Sequence, residues 1–131
     1  AVKVPQTLSH MHYWTVQLTK EVSKEDVLEA FSTSTRTAFI NMSDDLSANN
    51  AVKELMLDLG RPHGDMYEVA IWEDMLKVEG DELYYAYLVD NQAIVIPETI
   101  DAIRALTGAE SDPKKSIERT NRSLGIKQRF I

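Results

Sequence analysis

Two histidines one residue apart, His10 and His12, open the densest run of chemistry-bearing side chains, Ser9-His10-Met11-His12-Tyr13-Trp14. In an extended strand alternate residues share a face, and a rise of about 3.3 Å per residue puts the two Cα atoms roughly 6–7 Å apart. Imidazoles so placed could bind a metal, act as general acid and base, or grip an anion. They could equally be core histidines, each with a partner for its ring nitrogens. Zinc asks for further ligands. His63 is the only other histidine, in a loop with Pro62 and Gly64, and cysteine is absent. No metal site is expected.

Two other positions could join them. Asp90-Asn91-Gln92 ends the most apolar run of the chain, and an Asn offers both an acceptor and donors, which suits reading an amide. It could equally be a strand-ending turn. Lys3, before Val4-Pro5, would matter if a phosphate bound beside the histidines, where an ammonium acts as a point charge.

The elements that must carry these residues can be read from spacing. From His10 the even positions run His10, His12, Trp14, Val16, Leu18, so one strand face passes from imidazole to hydrocarbon, like a core whose rim is a site. Ser23 with Asp26 resembles a capping box for a helix over 24–33. Thr37 to Ile40 is a short strand. Val52, Leu55, Met56 and Leu59 keep helical spacing, with Gly60 as the cap and Pro62 as the stop. Tyr67 to Glu73 is a strand, and Met75 to Val78 with Glu82 to Val89 make a hairpin about Gly80. The last of these strands is apolar or aromatic on both faces, so both should be covered. Pro97 opens a helix whose stripe is Ile100, Ile103 and Leu106, ending at Gly108. A final helix, about 113–124, has little apolar content and should need a dock. The order implies an α+β fold: a mostly antiparallel mixed sheet with helices on one face and the other face an interface.

Composition narrows the function classes. A chain of 131 residues suits one domain. Its net charge of -7 and pI near 4.9 argue against a nucleic-acid partner. No apolar run approaches the roughly 18 residues of a membrane helix, and no signal-peptide pattern is present. The absence of cysteine fits a reducing compartment and removes any thiol nucleophile from this chain.

Four segments, in order, carry a family likeness: Val4-Pro5-Gln6-Thr7-Leu8-Ser9-His10-Met11-His12, Tyr67-Glu68-Val69-Ala70-Ile71-Trp72-Glu73, Ile96-Pro97-Glu98-Thr99-Ile100-Asp101-Ala102-Ile103-Arg104-Ala105, and Thr120-Asn121-Arg122-Ser123-Leu124-Gly125-Ile126. Together they resemble the C-terminal, catalytic-domain part of archaeal-type phosphorylating glyceraldehyde-3-phosphate dehydrogenase. The likeness implies a division into 1–108, the end of a catalytic domain, and 109–131, a helix and tail that would pack on an absent Rossmann domain. It implies glyceraldehyde 3-phosphate and inorganic phosphate as substrates, NAD or NADP as cofactor, a cytoplasmic setting and a homo-oligomer, a tetramer in the family. It assigns catalytic work to His12 first and His10 second, the nicotinamide contact to Asn91, and a phosphate contact to Lys3, where bacterial relatives carry an Arg. Lys lacks the bidentate fork of Arg. Asp90-Asn91-Gln92 stands closer to the bacterial Asp-Asn-Glu than to the archaeal His-Gln-Glu pattern. The family works through a cysteine thioester, and no residue here supplies that thiol, so the chain alone is expected to be inactive. The competing class is a non-catalytic module using the same scaffold for self-association or ligand binding.

Overall fold

Residues 9–131 are described by a computed structural model, so the expectation for Lys3 lies outside the described residues. Five strands and four helices follow one another as β1 (Ser9–Gln17), α1 (Lys24–Ser32), β2 (Thr37–Ile40), α2 (Asn49–Asp58), β3 (Val69–Trp72), β4 (Lys77–Glu79), β5 (Glu82–Asp90), α3 (Ile96–Thr107) and α4 (Pro113–Leu124). Short 3-10 turns at Met42–Asp44 and Pro62–Gly64 flank α2. The sheet runs β1-β5-β3-β2, with β4 also on β5. Only β2 and β3 are parallel, joined through α2; every other pairing is antiparallel. The fold is therefore α+β on a mixed sheet, as the order of elements implies.

Local chemistry sets the boundaries. The Ser23 hydroxyl accepts from the Asp26 amide at 3.0 Å while the Asp26 carboxylate accepts from the Ser23 amide at 2.9 Å, the reciprocal box expected for α1. Gly60, at φ +76, follows the end of α2, where a left-handed residue costs glycine least.

The main core lies on one face. Ala86 and Leu88 of β5, Ala70 and Trp72 of β3, and Ala38 and Ile40 of β2 are buried under Val52 and Met56 of α2, with Met11 of β1 at the margin. The opposite face, expected to be free of helices, carries a smaller cluster at its far end, where Val16, Leu83 and Tyr85 meet Val27, Leu28 and Phe31 of α1, so helices lie on both faces of the sheet. Alternation puts His10, His12 and Trp14 on this second face. The hydrocarbon expected along it begins only at Val16: Trp14 is 47% exposed, because α1 reaches only the end of β1 remote from the histidines. The apolar β1 residue that enters the main core is Met11, on the other side. Likewise β5 is sealed where Ala86 and Leu88 point but left half-buried at Tyr85, Tyr87 and Val89.

Polar contacts hold the helical layer. Ile103 and Leu106 do not form the buried stripe expected of α3; Leu106 is 87% exposed. The inward side of α3 instead offers Asp101, which accepts from Ser116 at 2.6 Å and Thr120 at 2.7 Å, both buried on α4. Arg104 donates to the Ser116 carbonyl at 3.1 Å and to the Thr120 hydroxyl. Arg36, just before β2, joins Asp101 to Asn121 and Glu98. The apolar-poor α4 thus docks within this chain through hydroxyls and charge. Burial would raise the Asp101 carboxyl, but Ser116, Thr120 and Arg36 outweigh it and hold the group below its ordinary value.

The tail returns to the sheet edge. The Phe39 amide donates to the Gln128 carbonyl at 2.9 Å, and Phe130 enters the core. Beneath it Arg61 grips Glu68 through two bonds of 2.6 Å, with Glu68 wholly buried. Glu68 also accepts from the Lys127 amide at 2.8 Å, and Arg61 donates to the Gly125 carbonyl at 2.8 Å. Removing one partner of such a pair strands a buried charge, at about 3–5 kcal/mol. Glu68→Ala should therefore lower the urea-unfolding free energy by about that much. A loss under about 1 kcal/mol would show that the pair does not tie the tail to the fold.

Candidate functional site

The β1–β5 ladder builds the site. Its register runs unbroken from Ser9 opposite Asp90 to Gln17 opposite Glu82, so the start of β1 meets the end of β5. His10 faces Val89 and His12 faces Tyr87. One step past Asp90 the chain turns, and Asn91 comes back over His10, its amide nitrogen 3.5 Å from His10 Nε2. That is the outer limit of a hydrogen bond, with the amide donating when Nε2 carries no proton. The two imidazole centroids are 6.0 Å apart with their planes at 82°. His12 stacks on Tyr87, centroids 4.8 Å apart and planes 13° from parallel. His10 is exposed and His12 half-buried.

Three of the four expected site residues, His10, His12 and Asn91, therefore gather at one end of the sheet. His10 is open to solvent and His12 lies half-buried against Tyr87, so neither ring is enclosed in the core. His63 stands in the turn after α2 at φ 55. Among the described residues, no three of His, Cys, Asp and Glu stand close enough to hold a metal ion. Nor is any helix among them long and apolar enough to cross a membrane.

Behind Asn91, on the other side of the sheet, lies a second polar group. Asp90 is buried, and one of its oxygens accepts from the amides of Gln92 at 2.9 Å and Ala93 at 3.0 Å. The other accepts from Lys53 Nζ of α2 at 2.7 Å. Burial pushes the Asp90 carboxyl up, but the Lys53 ammonium and the two amides outweigh it, and the group titrates below its ordinary value. Ser9, Lys53, Met56, Leu88 and Asp90 line a shallow cleft here.

Read from sequence alone, Asp90 and Asn91 belong to one run, Asp90-Asn91-Gln92, with nothing to separate their roles. The separating signal is alternation along β5, which sends Asp90 to the Leu88 side and into the core. Lys53 and Tyr87 carried no such signal, because their partners depend on which face α2 covers and on the β1–β5 register.

No family model matches the chain. Curated relatives do, and they are archaeal glyceraldehyde-3-phosphate dehydrogenases. The protein of that name from Methanopyrus kandleri is 43% identical over 126 residues, which is 96% of this chain and 36% of the relative. That of Metallosphaera sedula is 40% identical over 131 residues, the whole of this chain and 38% of the relative. That of Methanobrevibacter smithii is 39% identical over 126 residues, 96% of this chain and 37% of the relative. The resemblance read from four short segments thus extends along the whole chain, which spans a little over a third of the length of these relatives.

The Asp90 carboxyl makes acid stability a test of this geometry. A carboxyl whose folded pKa is depressed contributes stability above its unfolded value and loses it as pH falls through the lower folded value. The loss should set in below about pH 5 and deepen under the ordinary carboxyl value of 3.8. Asp90→Asn should flatten this acid limb in denaturant titrations at stepped pH. An unchanged slope would show that Asp90 is not held as described.

Proposed function

We propose that this chain is a catalytic-domain part of a phosphorylating glyceraldehyde-3-phosphate dehydrogenase, with His12 and His10 as its acid/base groups and Asn91 as its nicotinamide contact. The observation that carries the reading is the meeting of His10 with Asn91 at 3.5 Å in a chain similar throughout to relatives of that name. In the reaction so named, the aldehyde of glyceraldehyde 3-phosphate is attacked by a thiol, oxidised, and released to inorganic phosphate. No cysteine is present among the 131 residues, so the nucleophile comes from other residues.

The chain's own contribution is proton handling and positioning. An imidazole can both accept and give up a proton, the property that general acid/base work needs. His12, fixed against Tyr87, would accept the thiol proton at a ring nitrogen as the sulfur attacks. His10, beside Asn91, is the second candidate to carry that proton. NAD or NADP, when bound, accepts the hydride. A nicotinamide carboxamide offers one acceptor and one donor set, and the exposed Asn91 amide carries the complement, so the residue present fits the group. Residues 109–131 form, in this reading, the segment that packs on a nucleotide-binding domain, and the exposed side of α4 leaves room for it beyond its dock on α3. The setting is cytoplasmic and the assembly a homo-oligomer. β1 favours association: its residues carry no Asp, Glu, Lys or Arg, and Tyr13 is 70% exposed on it.

A chimaera tests the assignment. The chain replaces the matching third of the Methanopyrus kandleri enzyme, and reduction of NAD and NADP is followed with glyceraldehyde 3-phosphate and phosphate. The chimaera should turn over, while the chain alone should give no reduced cofactor. Within the chimaera, His12→Asn should cut kcat by about 10²–10⁴ with little change in cofactor KM. A folded but inactive chimaera would count against the function, and an undiminished kcat would remove His12 from the reaction.

A further inference from the structure

We infer that Asp90, clamped by Lys53, is a positioning residue that presents Asn91 to His10 from the opposite side of the sheet. The inference deepens the reading of Asn91 as the nicotinamide contact, and rests on it for its functional meaning.

The geometry is that of an Asx turn closed from two sides. One Asp90 oxygen takes the amides two and three residues on, Gln92 at 2.9 Å and Ala93 at 3.0 Å, a device by which an aspartate fixes the backbone just after itself. Asn91 is the residue enclosed by that loop, so its Cα direction follows from the bonds on either side. The Asp90 carbonyl takes the Ile94 amide at 3.1 Å, which tightens the same turn. The second carboxylate oxygen is engaged by Lys53 at 2.7 Å, so the carboxylate cannot rotate freely to solvent. With the Asp90 side chain 4% exposed, this bond lies in a partly desolvated setting, where geometry is held more firmly than at a surface ion pair.

The arrangement would give an exposed amide a fixed address. Asn91 is on the surface, and its side-chain contact with His10 is long. A single 3.5 Å contact would not orient a mobile surface Asn. Support comes from beneath, through Asp90 and Lys53 to α2, whose Val52 and Met56 are themselves packed in the main core. Supporting groups of this sort decide whether a site is held tightly enough to act.

Two readouts test it. In NMR spectra of the 131-residue chain, the cross-relaxation peak between the Asn91 side-chain amide and the His10 ring should be present in the native chain. It should persist in Asp90→Asn, which keeps an acceptor for the two turn amides, and vanish in Asp90→Ala. Lys53→Met should weaken it at least twofold. The Trp72 indole N–H, bonded to Leu46, reports whether the fold survives. A peak of native strength in folded Asp90→Ala overturns the inference; if Asp90→Ala does not fold, the same peak in Lys53→Met overturns it, and a weakened one supports it. In the chimaera, Asp90→Ala should raise cofactor KM at least tenfold, in step with Asn91→Ala, while leaving kcat within threefold. If Asn91→Ala alone raises KM, the positioning role of Asp90 fails. If Asn91→Ala leaves KM unchanged while the NMR contact depends on Asp90, positioning stands and the nicotinamide reading of Asn91 fails.

Discussion

The nine-residue ladder between β1 and β5 is the constraint on which the site depends. Its register pairs Ser9 with Asp90, and that pairing brings the histidines, eighty residues away in sequence, to the turn that holds Asn91. Because side chains alternate, a slip of one residue would send His10 and His12 to the α2 side and put Met11 in the open. The packed side chains fix the register: Met11, Ala86 and Leu88 fit the main core, while Val16, Leu83 and Tyr85 fit the α1 cluster. Hydrophobic sorting over the length of the ladder thus decides which way two imidazoles face at its end.

Away from this ladder the molecule is secured by charge and hydroxyl chemistry as much as by oil. α4 meets α3 through Ser116, Thr120, Asp101 and Arg104, and the tail meets the sheet through Arg61 and Glu68. These contacts are directional, so they specify where each helix sits. They also leave the apolar side chains of α3, Ile103 and Leu106, facing outward. Among the described residues no buried side-chain nitrogen or oxygen is left without a partner, which is the condition under which a polar interior stabilises rather than strains.

Much of the scaffold was legible from spacing alone. The Ser23–Asp26 box, the α2 stripe with Gly60 beyond it, and the hairpin about Gly80 each follow from local chemistry, and each formed. The failures share a cause. Val16 and Trp14 look alike in a period-two reading, yet one is covered by α1 and the other is not. Ile103 and Leu106 keep perfect helical spacing, yet α3 turns them outward, because its partner α4 supplies hydroxyls instead of hydrocarbon. Periodicity tells which residues share a face, and only the neighbouring elements tell which face is inside. For the same reason His10, His12 and Asn91 could be singled out, whereas Lys53 and Tyr87, whose parts depend on register and on α2, could not.

The site's internal geometry does not wait on any group from outside. His12 is aligned by Tyr87, its partner across the ladder, and Asn91 by Asp90 at the ladder's end. Both supports sit on strand backbone rather than on a loop tip, and rigid elements position reacting groups better than loops do. The direction of approach is also set. α2 and the core close one face behind Asp90, so the open side is that of the His12–Tyr87 stack, where Trp14 is 47% exposed.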